Sequence, residues 1–132
     1  MPFTVCCCTK PQGRDWDDIG YNFQLVGGDG IVYAGRGWDS VGGHFDNTVW
    51  NQTMNIALIG NFTETLPPWL QREQVQKFIA WGITMGKIQR DYQLLGACQI
   101  KNTLSPGGRL MDDLRTWARW WDHLDRPGFC QK

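Results

Sequence analysis

The stretch YNFQLVGGDGIVYAGRGWDSVGGH, residues 21–44, decides the fold assignment. Residues 21–25 alternate aromatic or aliphatic side chains with polar ones, and residues 31–33 are again of a type that favours strands. Between them, residues 27–30 read Gly-Gly-Asp-Gly, which tolerates the positive φ angles of a tight turn. The pattern predicts a β-hairpin. The glycine-rich segment that follows, residues 35–44, is typical of a surface loop that carries function on a rigid scaffold.

The chain after this loop predicts two more strands and a long helix. Residues 55–59, with aliphatic side chains from 56 to 59 and a glycine after them, are typical of a short buried strand, and residues 92–95 predict another strand. Two prolines at 67–68 suit the first turn of a helix. Apolar residues then recur at helical spacing until Gly86, so we expect a helix from about residue 68 to 85.

A second helix is predicted over about residues 106–123. Ser105 before Pro106 is typical of an N-cap followed by the first helical position. The expected apolar face consists of Leu110, Leu114, Trp117 and Trp121, and Trp120 beside it is a candidate for exposure to a partner. Strands and helices alternate without an internal repeat, which predicts an α/β or α+β sheet with helices packed against it.

Composition and charge narrow the class of protein. The 132 residues fit one domain, and 42% hydrophobic with 20% charged residues is the composition of a folded globular chain. Thirteen basic residues balance thirteen acidic ones, which argues against nucleic acid or an anionic membrane as the partner. The longest aliphatic run, residues 56–59, is far shorter than the ~20 residues of a membrane span, and no secretory signal pattern is found at the N-terminus. The compartment therefore stays open, with the cytoplasm as one option.

Cysteines and tripeptide motifs raise further options. Five cysteines, with three adjacent at 6–8, leave at least one thiol without an intramolecular disulfide partner. Asn51-Gln52-Thr53 and Asn61-Phe62-Thr63 match the N-glycosylation acceptor pattern, which matters only in the secretory route. Residues 3–6 have the composition of a short strand.

Several linked motifs resemble the peptidoglycan recognition protein family. They comprise WDDIGYNF at residues 16–23, the glycine-rich run at 28–44, IALIGNF at 56–62 and Ser-Pro-Gly at 105–107, all in that family's order and at about its spacing. The resemblance covers about residues 14–124. It implies an α/β fold, a mixed central β-sheet flanked by helices, related to bacteriophage-type N-acetylmuramoyl-L-alanine amidases and carrying a groove for peptidoglycan.

The resemblance also implies a domain division. Residues 14–124 correspond to the amidase-like recognition domain without its first strand and helix, residues 1–13 replace that opening segment as an irregular stretch or short strand, and residues 125–132 form a tail. Loss of an interior strand should leave unpaired sheet edges unless residues 1–13 or another chain fill the gap. That gap motivates a partner: another peptidoglycan recognition protein domain.

The metal site of the family's amidases has no counterpart here. Those enzymes take zinc ligands from a His on the first strand, a His in Gly-His-Arg and a Cys in Cys-Pro-Gly, whereas this chain reads Gly96-Ala97-Cys98 and Ser105-Pro106-Gly107 and lacks the opening His. An improvised site of Cys98 with His44 is disfavoured, because two histidines and scattered cysteines show no ligand spacing typical of zinc. We therefore expect no metal ligand, no cofactor and no catalytic residue.

The expected ligand-binding residues are Arg36, Gly37, Trp38, His44 and Tyr21. In the family, Gly-Trp at positions 37 and 38 is associated with diaminopimelic-type peptidoglycan: glycine leaves room for a carboxylate and tryptophan packs on the aliphatic stem. The arginine that usually completes this preference is absent from residues 55–59. A loop Trp between Gly and Asp is poorly placed for the core, which favours ligand contact for Trp38. His44 and Tyr21 also have structural interpretations. His44 could fix the loop, and Tyr21 could be a strand residue whose hydroxyl bonds to a structural partner.

The sequence therefore predicts a noncatalytic peptidoglycan-binding protein of antibacterial innate immunity. The alternative is an interaction module that no longer binds peptidoglycan and acts as co-receptor, decoy or modulator of other family members. A working zinc amidase is the third hypothesis.

Overall fold

The computed structural model describes residues 3–8, 23–25, 29–35, 37–39, 54–100, 102–121 and 130, with the backbone alone for 3–8 and 23–25. The strands are β1 (Phe3–Cys8), β2 (Phe23–Leu25), β3 (Val32–Ala34), β4 (Met54–Ile59) and β5 (Leu94–Gly96). The helices are α1 (Trp69–Thr84) and α2 (Gly108–Leu114), and a 3-10 turn at Ala97–Gln99 follows β5.

The five strands form one mixed sheet in the order β3-β2-β4-β1-β5. β2 and β3 are antiparallel, and β4 is parallel to both of its neighbours, with Phe23 opposite Ile56 and Phe3 opposite Met54. The mixed central sheet of the α/β class is confirmed. β1 lies inside the sheet, parallel to β4 and β5, so residues 3–8 occupy the interior position that the sequence left open. The predicted short strand at the N-terminus is thus present, and it extends two residues beyond Cys6.

The predicted hairpin is confirmed, and its turn rests on a helix. Phe23 pairs with Ala34 and Leu25 with Val32. In the turn, the Asp29 carboxylate accepts a hydrogen bond from the Ile31 amide at 3.0 Å. Gly30 has φ +65°, and a Cβ there would lie 2.9 Å from side-chain carbons of Leu70 and Gln74 in α1. Glycine at position 30 therefore permits both the turn and the close approach of α1.

The core lies between the sheet and the two helices. β4 is buried from Met54 to Leu58, as expected of an apolar strand with parallel neighbours on both sides. α1 buries Val75, Phe78 and Ile79 at helical spacing, so the helix predicted over 68–85 is confirmed. Within the described chain, neither helix is long and apolar enough to span a bilayer.

The second predicted helix is wrong in extent. The peptide bond between Ser105 and Pro106 is cis, and Gly107, with φ +98°, precedes a helix that begins at Gly108 and ends at Leu114. A Cβ on Gly107 would lie 2.6 Å from the Phe62 backbone, so this turn requires glycine. Ser105 therefore does not cap the helix.

Beyond Leu114 the chain turns and then runs beside β5. Arg119 has φ +70°, which no regular helix accommodates. The Leu94 amide donates to the Arg119 carbonyl at 2.8 Å, and the Trp121 amide donates to the Leu94 carbonyl at 3.0 Å. These bonds to the sheet replace the helical bonds expected up to residue 123. Trp117 packs against the core as predicted, but so does Trp120, which is half-buried and not freely exposed.

Candidate functional site

The loop after β3 holds two of the five predicted ligand-binding residues. Gly37 has φ +77°, a conformation that favours glycine, and a Cβ built on it would meet no described atom within 4 Å. Trp38 stacks on Phe78 of α1, with ring centroids 5.1 Å apart and planes 8° from parallel. It also lies 5.9 Å from the Trp81 ring at an angle of 49°. Among the described residues, the loop thus leaves space open at Gly37, next to a tryptophan that belongs to an aromatic cluster.

A glycine in the helix admits the Trp38 ring. Gly82 is buried in α1, and a Cβ there would lie 2.8 Å from the far edge of the Trp38 indole. Trp38 is half-buried and packs against the core cluster. The premise that this tryptophan is poorly placed for the core is therefore wrong, because Gly82 provides the cleft that a loop tryptophan needs. Contact of Trp38 with a ligand stays a prediction.

An ion pair ties the same loop to the chain just after α1. Lys87 Nζ lies 3.4 Å from an Asp39 carboxylate oxygen. The Asp39 side chain is 91% exposed and that of Lys87 42%, so solvent screens the pair and it contributes little stability. Stacking of Trp38 on Phe78 is the stronger restraint on the loop.

The other three predicted ligand-binding residues, Arg36, His44 and Tyr21, lie outside the described residues. Their roles stay predictions. Of the five, the structure describes Gly37 and Trp38.

The positions that correspond to the family's zinc ligands offer a poor donor set. Ala97 is fully buried and has no donor atom. Cys98 is bonded to Cys130, with their Cα atoms 4.8 Å apart, so its sulfur is not a free thiolate. The improvised site of Cys98 with His44 is contradicted on the cysteine side.

The third position, Ser105, carries a neutral hydroxyl, and its carbonyl accepts a hydrogen bond from the Cys98 amide at 2.9 Å. Among the described residues, no three His, Cys, Asp or Glu side chains form a group that could hold a metal ion. These residues do not fit a hydrolytic zinc ion, which needs three protein ligands and an open position for water.

A cavity of about 640 Å³ lies beside the disulfide. Its lining includes the disulfide, Thr63, Gly107 and the start of α2, with Arg109, Asp112 and Arg115 as charged groups. Arg115 pairs with Asp112 at 2.9 Å. Both cysteines of the disulfide belong to this lining, and no sequence motif signals their pairing.

A buried glutamine joins β5 to the chain after α2, and sequence reasoning missed it. Gln99, 7% exposed, accepts a hydrogen bond from the Gly96 amide at 2.7 Å and donates to the Trp121 carbonyl at 2.8 Å. Its only sequence signal is a polar residue among apolar neighbours.

Burial raises the pKa of the Tyr92 phenol, and the positive charge of Arg119 partly opposes this rise.

Comparison with protein families identifies the domain. The sequence profile described as N-acetylmuramoyl-L-alanine amidase matches residues 3–108, a range that contains all five strands and α1.

Curated relatives carry one common name. Peptidoglycan-recognition protein LE of Drosophila melanogaster is 39% identical over 116 residues, which cover 87% of this chain and 33% of that protein. Peptidoglycan recognition protein 1 of Bos taurus is 37% identical over 108 residues, covering 81% of this chain and 56% of its own. The chain thus spans between a third and just over half of these relatives.

Solved structures of the same family have the same fold. Drosophila PGRP-LB superposes with a TM-score of 0.84 at 29% identity, over 95% of this chain and 85% of that one. Peptidoglycan recognition protein-LE in complex with tracheal cytotoxin, a monomeric diaminopimelic acid-type peptidoglycan, superposes with a TM-score of 0.83 at 30% identity, over 90% and 81%. On the profile match, the relatives and the fold together, this chain belongs to the peptidoglycan recognition protein family.

Proposed function

We propose that this chain is a noncatalytic peptidoglycan-binding protein of innate immune sensing of bacteria. The observation that carries the proposal is the donor set after β5: a buried alanine at 97, a disulfide-bonded sulfur at 98 and a serine at 105, within a fold of the peptidoglycan recognition family. The fold supports recognition, and the donor set argues against hydrolysis.

The chemical argument against hydrolysis concerns water activation. Zinc makes hydroxide available near neutral pH only when protein ligands hold the ion and leave a position for water. A methyl group at 97 contributes no lone pair, and a neutral hydroxyl at 105 is a weak zinc ligand compared with a thiolate. The two histidines of the chain are His44 and His123, and neither lies in β1.

Ligand recognition is supported by the Gly37–Trp38 loop and by relatives. Peptidoglycan recognition protein-LE is known in complex with a diaminopimelic-type muropeptide. In this chain the open space at Gly37 would admit a carboxylate, and the exposed part of the half-buried Trp38 would pack on an aliphatic stem. β4 has no arginine to pair with that carboxylate. We propose a preference for the diaminopimelic type that is weaker than that of a binder with such an arginine.

One set of measurements on a single sample tests the proposal. The purified chain is incubated with insoluble peptidoglycan of the diaminopimelic and lysine types, its zinc content is measured, and release of stem peptide is followed. We expect cosedimentation, more with the diaminopimelic type, substoichiometric zinc and no release. Stoichiometric zinc with release of stem peptide that a chelator abolishes would establish an amidase.

Substitution of Trp38 tests its contact with the ligand. Trp38→Ala should weaken binding of a diaminopimelic muropeptide by about 1–3 kcal/mol, roughly 5- to 150-fold, if the ring packs on the ligand. Because Trp38 also stacks on Phe78, the control is Phe78→Leu, which disturbs the same stack without removing the indole. Unchanged affinity in Trp38→Ala, or an equal loss in Phe78→Leu, would remove Trp38 from the binding site.

An interaction module is the second candidate function. A solved relative is an ectodomain complex of PGRP-LCa and PGRP-LCx bound to tracheal cytotoxin. In this chain, Trp81 on α1 and Met85 at its C-terminal cap are 49% and 56% exposed, four residues apart. Binding of a full-length family member in the absence of peptidoglycan, together with failure to sediment with peptidoglycan, would favour this candidate. The interior position of β1 weakens it, because the open strand position that motivated a partner is filled from within the chain.

A further inference from the structure

We propose that Asn61 carries an N-linked glycan. The residue stands in the tripeptide Asn61-Phe62-Thr63, directly after β4 and on the loop that leads toward α1. The proposal is independent of peptidoglycan binding, and it rests on the exposure of the acceptor, the local hydrogen bonds and the redox state of the Cys98–Cys130 pair.

The fold presents the two ends of the tripeptide to solvent and buries its middle. Asn61 and Thr63 are exposed, whereas Phe62 is 5% exposed and belongs to the core cluster. The Phe62 ring occupies the space where a Cβ on Gly60 would lie. The buried ring anchors the loop, so a large hydrophilic group on Asn61 would extend into solvent without displacing the core.

Hydrogen bonds in the tripeptide engage the oxygen of the Asn61 amide. The Thr63 hydroxyl donates to Asn61 Oδ1 at 2.8 Å, and the Thr63 backbone amide donates to the same oxygen at 3.2 Å. Among the described residues, Nδ2 of Asn61 makes no hydrogen bond of this kind. The nitrogen that would receive the sugar is thus available, and a glycan there keeps both bonds to Oδ1.

The backbone of the tripeptide is also held from the far side of the loop. The Arg109 amide lies 3.1 Å from the Phe62 carbonyl and 3.2 Å from the Thr63 carbonyl, and donates to both. Since the loop is fixed by backbone contacts and by a buried ring, the presentation of Asn61 does not depend on a glycan.

The disulfide supplies an independent argument about compartment. Cys98 and Cys130 are bonded across 32 residues of sequence. Disulfides of this kind form and persist in oxidising compartments and are rare in the cytosol. N-glycosylation takes place in the secretory route, which is also an oxidising environment. The disulfide and the exposed acceptor tripeptide therefore both imply that the chain passes through this route.

The modification is a group transfer from a lipid-linked oligosaccharide diphosphate. The bond between Asn61 Nδ2 and the anomeric carbon of the first sugar forms, and the bond between that carbon and the diphosphate oxygen breaks. Nδ2 loses one proton, and the lipid diphosphate leaves.

The experiment maps the site directly and uses matched variants. Protein from its natural source is treated with peptide N-glycosidase F in heavy-oxygen water, and its peptides are analysed by mass spectrometry. We expect residue 61 as labelled aspartate. In parallel, the full chain behind a cleavable secretion signal is expressed in insect cells as wild type, Thr63→Ala, Thr63→Ser and Thr53→Ala. Thr63→Ala should lose the mass of one glycan at position 61, whereas Thr63→Ser and Thr53→Ala should retain it.

Unmodified Asn61 in the natural protein would overturn the proposal. So would secreted Thr63→Ala with the same glycan mass as wild type. Peptide mapping of the secreted wild type gives the answer even if Thr63→Ala is not secreted, because an unmodified Asn61 there also contradicts the proposal. A glycan on Asn51 alone would also contradict the proposal.

Discussion

Two regions pack into the same core, and they differ in what is added to their apolar packing. The first, here called the helix layer, consists of α1 and the Trp38 loop, and it is held by apolar side chains: Val75, Phe78 and Ile79 are buried and Trp38 stacks on Phe78. The second, the closing segment, comprises residues 96–121 with Cys130. Leu110 and Leu114 of α2 are buried in the same core, and individual links are added to this packing: the Cys98–Cys130 disulfide, the two hydrogen bonds of Gln99 and the backbone bonds from Leu94.

The difference between the two regions shows which kinds of interaction can be predicted from a sequence. Apolar packing repeats along a helix, so it leaves a periodic pattern that can be read from the residues. A disulfide or a single buried side-chain bond depends on two points that are brought together only by the finished fold. The following measurements separate the two regions by what their stability depends on.

The largest effect is expected in the helix layer. Ile79→Ala should lower the free energy of unfolding by about 2–5 kcal/mol, because a large buried side chain is removed and a cavity is left. Urea denaturation measures the loss, with Gln76→Ala on the exposed face of the same helix as control, expected within about 0.5 kcal/mol of wild type. A loss below about 1 kcal/mol for Ile79→Ala would contradict the view that apolar packing holds this layer.

The closing segment should respond to loss of its covalent link. Cys130→Ala should lower the free energy of unfolding by about 2–4 kcal/mol, since the unfolded chain is no longer constrained by the bond to Cys98. A reducing agent should cause a similar loss in the wild type and none in the variant. Equal melting of wild type and variant, each insensitive to the reducing agent, would show that the bond contributes nothing.

Loss of the two hydrogen bonds of Gln99, here called the glutamine bridge, should have a somewhat smaller effect on the free energy of unfolding. Gln99→Leu removes both the acceptor for the Gly96 amide and the donor for the Trp121 carbonyl, and should cost about 1–3 kcal/mol because buried polar groups lose their partners. The same change at exposed Gln76 is the control. If hydrogen exchange of the Gly96 amide is as slow in Gln99→Leu as in wild type, the bridge does not hold the segment.

The smallest effect concerns alkaline pH. Burial raises the pKa of Tyr92 above its usual value of 10.0, so the unfolded chain releases the phenolic proton first. The contribution of the Tyr92 phenol to the free energy of unfolding is therefore fully present below about pH 10. It is lost as the pH rises through the higher pKa that the phenol has in the folded state. Tyr92→Phe should therefore flatten the fall in unfolding free energy above pH 10. Parallel curves for wild type and variant in denaturant titrations would contradict the expected titration.

The helix layer and the hairpin could be predicted because their signals are local. Helical spacing of Val75, Phe78 and Ile79 and the Gly-rich turn near Gly30 both survive in the structure. The end of α2 could not be predicted, because apolar spacing continues to Trp121 while bonds of Arg119 and Trp121 to Leu94 divert the chain. Partners fixed by the sheet decide that boundary.

For the candidate site, the identity of each residue could be read from the sequence, but its contacts in the folded structure could not be predicted. Ala97 and Ser105 at positions that correspond to zinc ligands could be read directly from the sequence. The bond of Cys98 to Cys130 could not, because five cysteines permit many pairings and spacing selects none. The stack of Trp38 on Phe78 was missed for a related reason: the cleft depends on Gly82, which is distant in sequence.

The place of β1 also sets the order in which the molecule can be completed. It precedes the other described strands but lies between β4 and β5, so its partners are residues 54–59 and 94–96. During synthesis, β1 must wait for most of the chain before both of its edges are satisfied. Contacts between such distant residues slow folding and leave apolar strands exposed meanwhile. We therefore expect the newly made chain to depend on chaperones for longer than a protein of the same size whose sheet forms from strands that are consecutive in the sequence.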